Sequence, residues 1–312
     1  MSPAADSVGA GIPVTPLSAN QRGILALIGG MCAYTVNDAM VKAIAQKYPI
    51  GEVIFVRGAM TTILIGATVL ALGHAHDLRH IANKPVMIRS LFDGLSTACF
   101  VTALVYMKLA ELAAMLQVAP LLLTAFSVLF LREVVGWRRW AAILVGFAGA
   151  MCVVKPTPAA FDIWALVALA AATSSALREM QTRRIERSVP TIVIAFAGSL
   201  GILVVGALFA AAGEWRPMAF EDLAMLAGAA VFVGLATYSI ALAFRGVDIS
   251  VVAPFRYSYL ITSAIAGYLV FSELPDRWSA LGAVLIVGSG LYALHREGVR
   301  RRELTATSRA AQ

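Results

Sequence analysis

Ten apolar runs, most of them about 20 residues long, follow one another along this chain with only short polar links between them. They lie at 23–45, 50–72, 86–107, 110–131, 137–154, 161–180, 189–211, 220–244, 250–271 and 277–295. A helix rising about 1.5 Å per residue needs about 20 apolar residues to cross the hydrocarbon core of a bilayer. Lipid offers the backbone no hydrogen-bonding partner, so only helices and closed barrels can span it. These runs are too long and too continuously apolar for barrel strands. The expected fold is therefore an all-α integral membrane protein with ten transmembrane helices and the lipid bilayer as its solvent. The links are too short to hold a soluble catalytic domain. Charged residues make up only 14% of the chain, against about 25% in soluble domains. The net charge of +7 does not indicate nucleic acid, because the basic residues cluster between the runs rather than along one soluble face.

Those clusters set the orientation, since Lys and Arg concentrate in cytoplasmic links. With the N-terminus inside, the cytoplasmic segments hold 17 of the 25 basic residues. The outer segments hold 6, namely Lys42, Lys47, Lys108, Lys155, Arg216 and Arg277, and Arg57 and Arg256 fall within runs. Both termini are expected in the cytoplasm, as an even number of spans requires. Trp137, Trp140, Trp164, Trp215 and Trp278 all fall at run ends, the position of an interfacial aromatic belt. Cys32, Cys99 and Cys152 lie inside runs and read as small hydrophobes rather than a disulfide framework or a metal site. The first 21 residues hold Pro3, Pro13 and Pro16 and no apolar run, and read as a disordered tail without the pattern of a secretory signal.

Two stretches of the chain resemble each other. LREVVGWRRWAAILVGFAGA (131–150) and FSELPDRWSALGAVLIVGSG (271–290) each end one run with a glutamate, Glu133 or Glu273. Each continues through a short polar link and an Arg-Trp pair into a span rich in small residues. The glutamates lie 140 residues apart, which makes the repeating unit five spans long. An odd number of spans inserts the second unit upside down, and such inverted repeats are common in secondary transporters, with the solute held near the midplane. Small residues such as Gly146, Gly198, Gly201 and Gly267 are expected to let helices approach closely.

These residues resemble the drug/metabolite transporter superfamily, in particular its ten-span EamA-type members. The resemblance is carried by YTVNDAMVKAIAQKYPIGEVIFVRG (34–58), LAELAAMLQVAPLLLTAFSVLFLRE (109–133), ALREMQTRRI (176–185) and VDISVVAPFRYSYLITSAIAGYLVFSELPDRWSALGAVLIVGSGLYAL (247–294). It implies two inverted five-helix repeats, at 22–155 and 161–295, between the N-terminal tail 1–21 and a basic cytoplasmic tail 296–312. It also implies secondary active transport of an amino acid, vitamin, nucleoside or similar metabolite, and a place in the bacterial inner membrane.

Charges inside spans cost about 2.5–3.5 kcal/mol each at the helix centre, so they usually face the protein interior and find partners. Four stand out. Counting residues from the run ends places Asp38 and Arg57 roughly 10 Å below the outer surface, and Asp93 and Arg256 roughly 10 Å above the inner one. Opposite signs at each level predict an outer pair, Asp38–Arg57, and an inner pair, Asp93–Arg256. Either pair serves as a gate, a contact for a zwitterionic solute, or a static interior bridge. On the first span Tyr34, Asn37, Asp38 and Lys42 share one face, with Lys42 expected to snorkel to water. On the ninth, Arg256 and Tyr259 share a face and Tyr257 lies beside it; aromatics with a polar tip suit an organic solute. Gln117 precedes Pro120, whose missing N–H predicts a kink and a freed carbonyl. Arg89 reads as interfacial, Glu133 and Glu273 as loop caps, and His74, His76 and His80 as a solvated loop rather than a metal site.

No phosphate-binding loop and no HExxH motif occurs, so neither ATP drive by this chain nor zinc hydrolysis is indicated, and no cofactor or metal is expected. The expected function is a secondary transporter working by alternating access on a small-molecule solute. The alternative is a multi-pass membrane enzyme acting on an apolar or lipid-linked substrate. Asp38 is the candidate for proton coupling, an idea that competes with its pairing to Arg57.

Overall fold

The computed structural model describes residues 18–131, 137–155, 162–186, 188–244, 247 and 249–310. Every regular element among them is helical. The long helices are α1 (Ala19–Ala45), α2 (Ile50–Ala71) and α3 (Lys84–Tyr106). A broken pair follows, α4 (Leu109–Leu116) and α5 (Ala119–Leu131), and then α6 (Trp137–Val154), α7 (Ile163–Thr182), α8 (Thr191–Ala211) and α9 (Phe220–Ala243). A second broken pair, α10 (Ile249–Val252) and α11 (Ser258–Phe271), precedes α12 (Arg277–Ala310). Eight stretches of helix are long and apolar enough to cross a bilayer, among them Leu109–Phe130 taken as one. Large apolar side chains such as Ile63, Leu129, Leu269 and Val284 are left exposed, as a lipid-facing surface requires. The chain is a multi-pass membrane protein.

The ten expected runs and the helices differ in places. The run at 137–154 is helical, but its apolar part, Trp140–Val154, falls short of a full span. The run at 250–271 is not one helix. Pro254 has no N–H to donate, and residues Ala253–Tyr257 wind as a 3-10 segment between α10 and α11. The run at 110–131 breaks at Gln117–Val118, just ahead of Pro120, as the missing donor predicts. At the N-terminal end α1 starts inside the expected tail. Ser18 Oγ accepts from Gln21 N and the Gln21 side chain accepts from Ser18 N, a reciprocal cap that fixes the helix start. The basic tail after Arg296 continues as helix to Ala310.

Helix packing is pairwise. α1 lies along α9, α2 along α8, α3 along α7 and α8, and α6 along α12. α11 rests on α1 and α4, and α5 on α7. Two apolar clusters result. The larger gathers Val41 and Ile44 of α1 with Val53, Leu104, Leu109, Met115, Ala168 and Ile286. The smaller gathers Leu27 and Met31 with Ala113, Ala243, Val252 and Tyr259. Along α1 the stretch between Met31 and Val41 lies between these clusters, and there the buried side chains turn polar.

Candidate functional site

In that stretch α1 buries Thr35, Asn37 and Asp38, with Asp38 only 4% exposed. Asn37 Nδ2 donates to Asp38 Oδ1 at 2.8 Å, and Arg57 Nη1 of α2 donates to Asn37 Oδ1 at 3.1 Å. Tyr259 Oη of α11 donates to Asp38 Oδ2 at 2.6 Å. The expected outer pair is thus built with an amide between its charges. Asn37 accepts from the cation and donates to the anion, so the two are electrostatically coupled without sharing a hydrogen bond. Both Asp38 oxygens are engaged. Thr35 Oγ1 lies 2.6 Å from Thr262 Oγ1, and the half-buried Tyr34 Oη lies 3.3 Å from Thr237 Oγ1 of α9.

The expected inner pair does not form. Asp93 is held by Arg89 Nη1 at 2.8 Å to Oδ2 and by Arg178 Nη1 of α7 at 2.8 Å to Oδ1. Arg256 is exposed instead. Arg256 lies in the 3-10 segment Ala253–Tyr257, whereas Tyr259 lies in α11 and is buried. Asp93 meanwhile has a cation one turn before it on its own helix. Arg89 is accordingly part of this cluster rather than an interfacial residue: its Nε donates to Thr182 Oγ1 at 3.1 Å. Arg178, not singled out from the sequence, follows Asp38 by 140 residues, the same interval that separates Glu133 and Glu273. That interval was the available signal.

Lys42 is the other departure. It does not snorkel but is 1% exposed, with its Nζ 2.6 Å from Glu273 Oε1 and donating to Met107 O at 2.7 Å. Its place on the stripe with Asn37 and Asp38 pointed inward, and the stripe outweighed the proximity of the helix end. Glu273, expected to cap a loop, is thus the half-buried counter-ion of Lys42; Glu133 lies outside the described residues. Gln117 is buried at the break between α4 and α5, and its Nε2 has no hydrogen-bond partner. Tyr257 is buried with its hydroxyl against Gly290 of α12, where it packs rather than faces the Asp38 cluster. Among the described residues no group of three or more His, Cys, Asp or Glu side chains is placed to hold a metal ion. His74 pairs with Asp77 at 2.8 Å.

Outside the spans, further polar links fasten helix ends. Lys47 Nζ lies 3.0 Å from Asp222 Oδ1, a hydrogen bond that raises the Lys47 ammonium above its ordinary pKa. Lys155 pairs with Asp276, joining the end of α6 to the start of α12. Burial pushes the Asp276 carboxyl up, but Lys155 and the Ser279 N–H together outweigh it and hold the group at about 2.

The chain is similar to proteins with established names. An S-adenosylmethionine uptake transporter of Rickettsia bellii is 28% identical over 271 residues, covering 84% of this chain and 90% of that protein. The pseudopaline exporter CntI of Pseudomonas aeruginosa is 27% identical, covering 86% and 94%. A riboflavin transporter of Vibrio cholerae is 29% identical, covering 90% and 95%. A solved crystal structure superposes with a TM-score of 0.56 at 23% identity, over 86% of this chain and 96% of the other, which shows a common fold. The model of the EamA-like transporter family matches residues 21–155 and again residues 162–294. With most of its length matched, and with its polar residues gathered inside a bundle of apolar helices, this chain belongs to the EamA-like transporter family.

Proposed function

We propose that this chain is a secondary active transporter that carries a small polar organic metabolite through the centre of the helix bundle by alternating access. The observation that carries the reading is the Asn37–Asp38–Arg57–Tyr259 cluster, which joins α1, α2 and α11 in the membrane interior. Buried charge is costly in lipid and is retained where it lines a path or a site. A cluster offering carboxylate, guanidinium, amide and phenol groups suits a solute with both charged and aromatic parts. Relatives named as transporters of S-adenosylmethionine, pseudopaline and riboflavin support a small organic metabolite as solute. They are transporters, which favours this reading over a membrane enzyme.

The architecture in this reading is ten spans in two inverted five-helix repeats, 22–155 and 161–295. The packing supports it. With α4–α5 and α10–α11 each counted as one broken span, an exchange of spans one to five with spans six to ten maps each main contact onto another. The α1–α9 contact maps onto α3–α7, α2–α9 onto α3–α8, and α1–α11 onto the contacts of α7 with α4 and α5. The α2–α8 and α6–α12 contacts map onto themselves. Both broken spans occupy the fourth place of their repeat, and each carries a proline at its break, Pro120 and Pro254. The excess of basic residues on one side supports cytoplasmic termini in a bacterial inner membrane.

A thermal-shift screen of the purified protein against amino acids, nucleosides, vitamins and methylated cofactors tests the substrate class. A ligand at 100 times its Kd stabilises the folded state by about 2.7 kcal/mol. The expected result is a shift with one class that is abolished by Arg57→Gln. A shift that persists unchanged in both Arg57→Gln and Asp38→Asn contradicts the site.

A further inference from the structure

The outer end of α1 carries a second ion pair that the Asp38 cluster does not use, between a buried Lys42 and a half-buried Glu273. Lys42 Nζ sits between Glu273 Oε1 at 2.6 Å and Met107 O at 2.7 Å, with the Phe271 ring centroid 5.0 Å away. The other carboxylate oxygen, Oε2, accepts from Leu109 N at 2.9 Å. Glu273 reaches back over α11 because Ser272 takes a left-handed conformation, φ +54°, that reverses the chain there. Lys108 Nζ donates to Leu274 O at 2.7 Å alongside. One glutamate therefore ties the end of α1 to the α3–α4 link and to the α11–α12 link.

The seam that this pair closes differs from the packing around α8. Between α1 and α11, Thr35 meets Thr262, Asp38 meets Tyr259 and Lys42 meets Glu273, each at 2.6 Å. The three α1 residues are spaced by three and four, so they form one polar stripe. The contacts of α8 with α2 and α3 instead include close approaches of backbone to backbone. A Cβ on Gly51 would lie 2.5 Å from Phe209 C, and one on Gly94 2.5 Å from Gly201 O. Such contacts depend on close fit and lose it all when helices slide. A polar seam that opens to water exchanges its partners for solvent and loses far less. An ammonium left without its carboxylate in the dry interior is strongly unfavourable. Lys42 is therefore favoured in two arrangements, buried against Glu273 or parted from it and hydrated.

We propose that Lys42 and Glu273 are the gate at this end of the transport path, joined in the state described here and parted in the state that exchanges solute with the outer face. The proposal rests on the alternating-access reading. It is tested in lipid nanodiscs without solute, by measuring the distance between spin labels at Gln46→Cys and Leu274→Cys in a Cys32→Ser, Cys99→Ser, Cys152→Ser background. The labelled protein with its gate intact should show one dominant short distance. Lys42→Met and Glu273→Gln should each raise a longer-distance population about tenfold, equivalent to about 1.4 kcal/mol. The exchange Lys42→Glu with Glu273→Lys should restore the short distance. An unchanged distribution in both single variants overturns the gate. Should the single variants fail to fold, Ser263→Cys tests the native pair. Ser263 is fully buried on the same seam, and a membrane-impermeant maleimide added outside labels it only if the gate parts; no labelling overturns the proposal. Because neither readout requires a solute, the gate can fail while flux persists, and the transporter reading can fail while the gate holds.

Discussion

At the scale of single residues, the polar interior rests on contacts between distant parts of the chain, Asp38 with Tyr259, Asp93 with Arg178 and Lys42 with Glu273. Asn37, Asp38 and Arg57 come together as the expected outer pair, joined by Tyr259, which was expected beside Arg256 at the other level. Asp93 pairs with Arg89, one turn before it on α3, and with Arg178 of α7, while Arg256 is exposed in the 3-10 segment before α11. Lys42 looked solvated because it lies near a helix end, yet Glu273 lies 231 residues later and no local pattern announces such a pairing. Tyr259→Phe removes a hydrogen bond to a charged acceptor while keeping the ring, and should cost about 1.5–3 kcal/mol. Denaturation of the purified protein in detergent reads this directly. A cost near zero would mean that the Tyr259 hydroxyl is not engaged with Asp38.

At the scale of elements, the apolar runs gave most helices to within a few residues, because a bilayer fixes their length. Breaks were legible where proline removes a donor: Pro120 was read in advance as a kink, and Pro254 was not. Interhelical fit was beyond sequence reasoning, since a glycine is marked as a contact only by what faces it. Gly94→Ala pushes a methyl against the Gly201 carbonyl, with its Cβ 2.5 Å from the oxygen, and should destabilise by about 1–3 kcal/mol. Gly29→Ala meets nothing within 4 Å and should be neutral or stabilising by up to about 1 kcal/mol. Melting temperatures of the two variants side by side check the contrast. The Lys155–Asp276 link has a pH signature. The Asp276 carboxyl titrates at about 2 in the folded protein against an ordinary 3.8, so its stabilisation is complete above about 4 and is lost as pH falls towards 2. Asp276→Asn should remove part of the loss in thermal stability over that window, and a variant with the same acid profile as the parent contradicts the link.

At the scale of the whole molecule, paired contacts, two broken spans and a family match over most of the chain describe a transporter whose interior is polar by design. The topology predicts that reporter fusions after Arg296 and before Ser18 both signal from the cytoplasm; a C-terminal fusion reporting from the outer face would exclude an even number of spans with the N-terminus inside. The central claim is that solute passes through the Asp38–Arg57 cluster. It is tested most directly by flux in proteoliposomes, using labelled S-adenosylmethionine, riboflavin or whichever solute the binding screen selects, with Asp38→Asn compared against the unaltered protein at matched folded content. The account predicts saturable uptake that falls at least about tenfold in Asp38→Asn, the loss of about 1.4 kcal/mol or more of stabilisation along the path. Uptake by Asp38→Asn at the rate of the unaltered protein would contradict it.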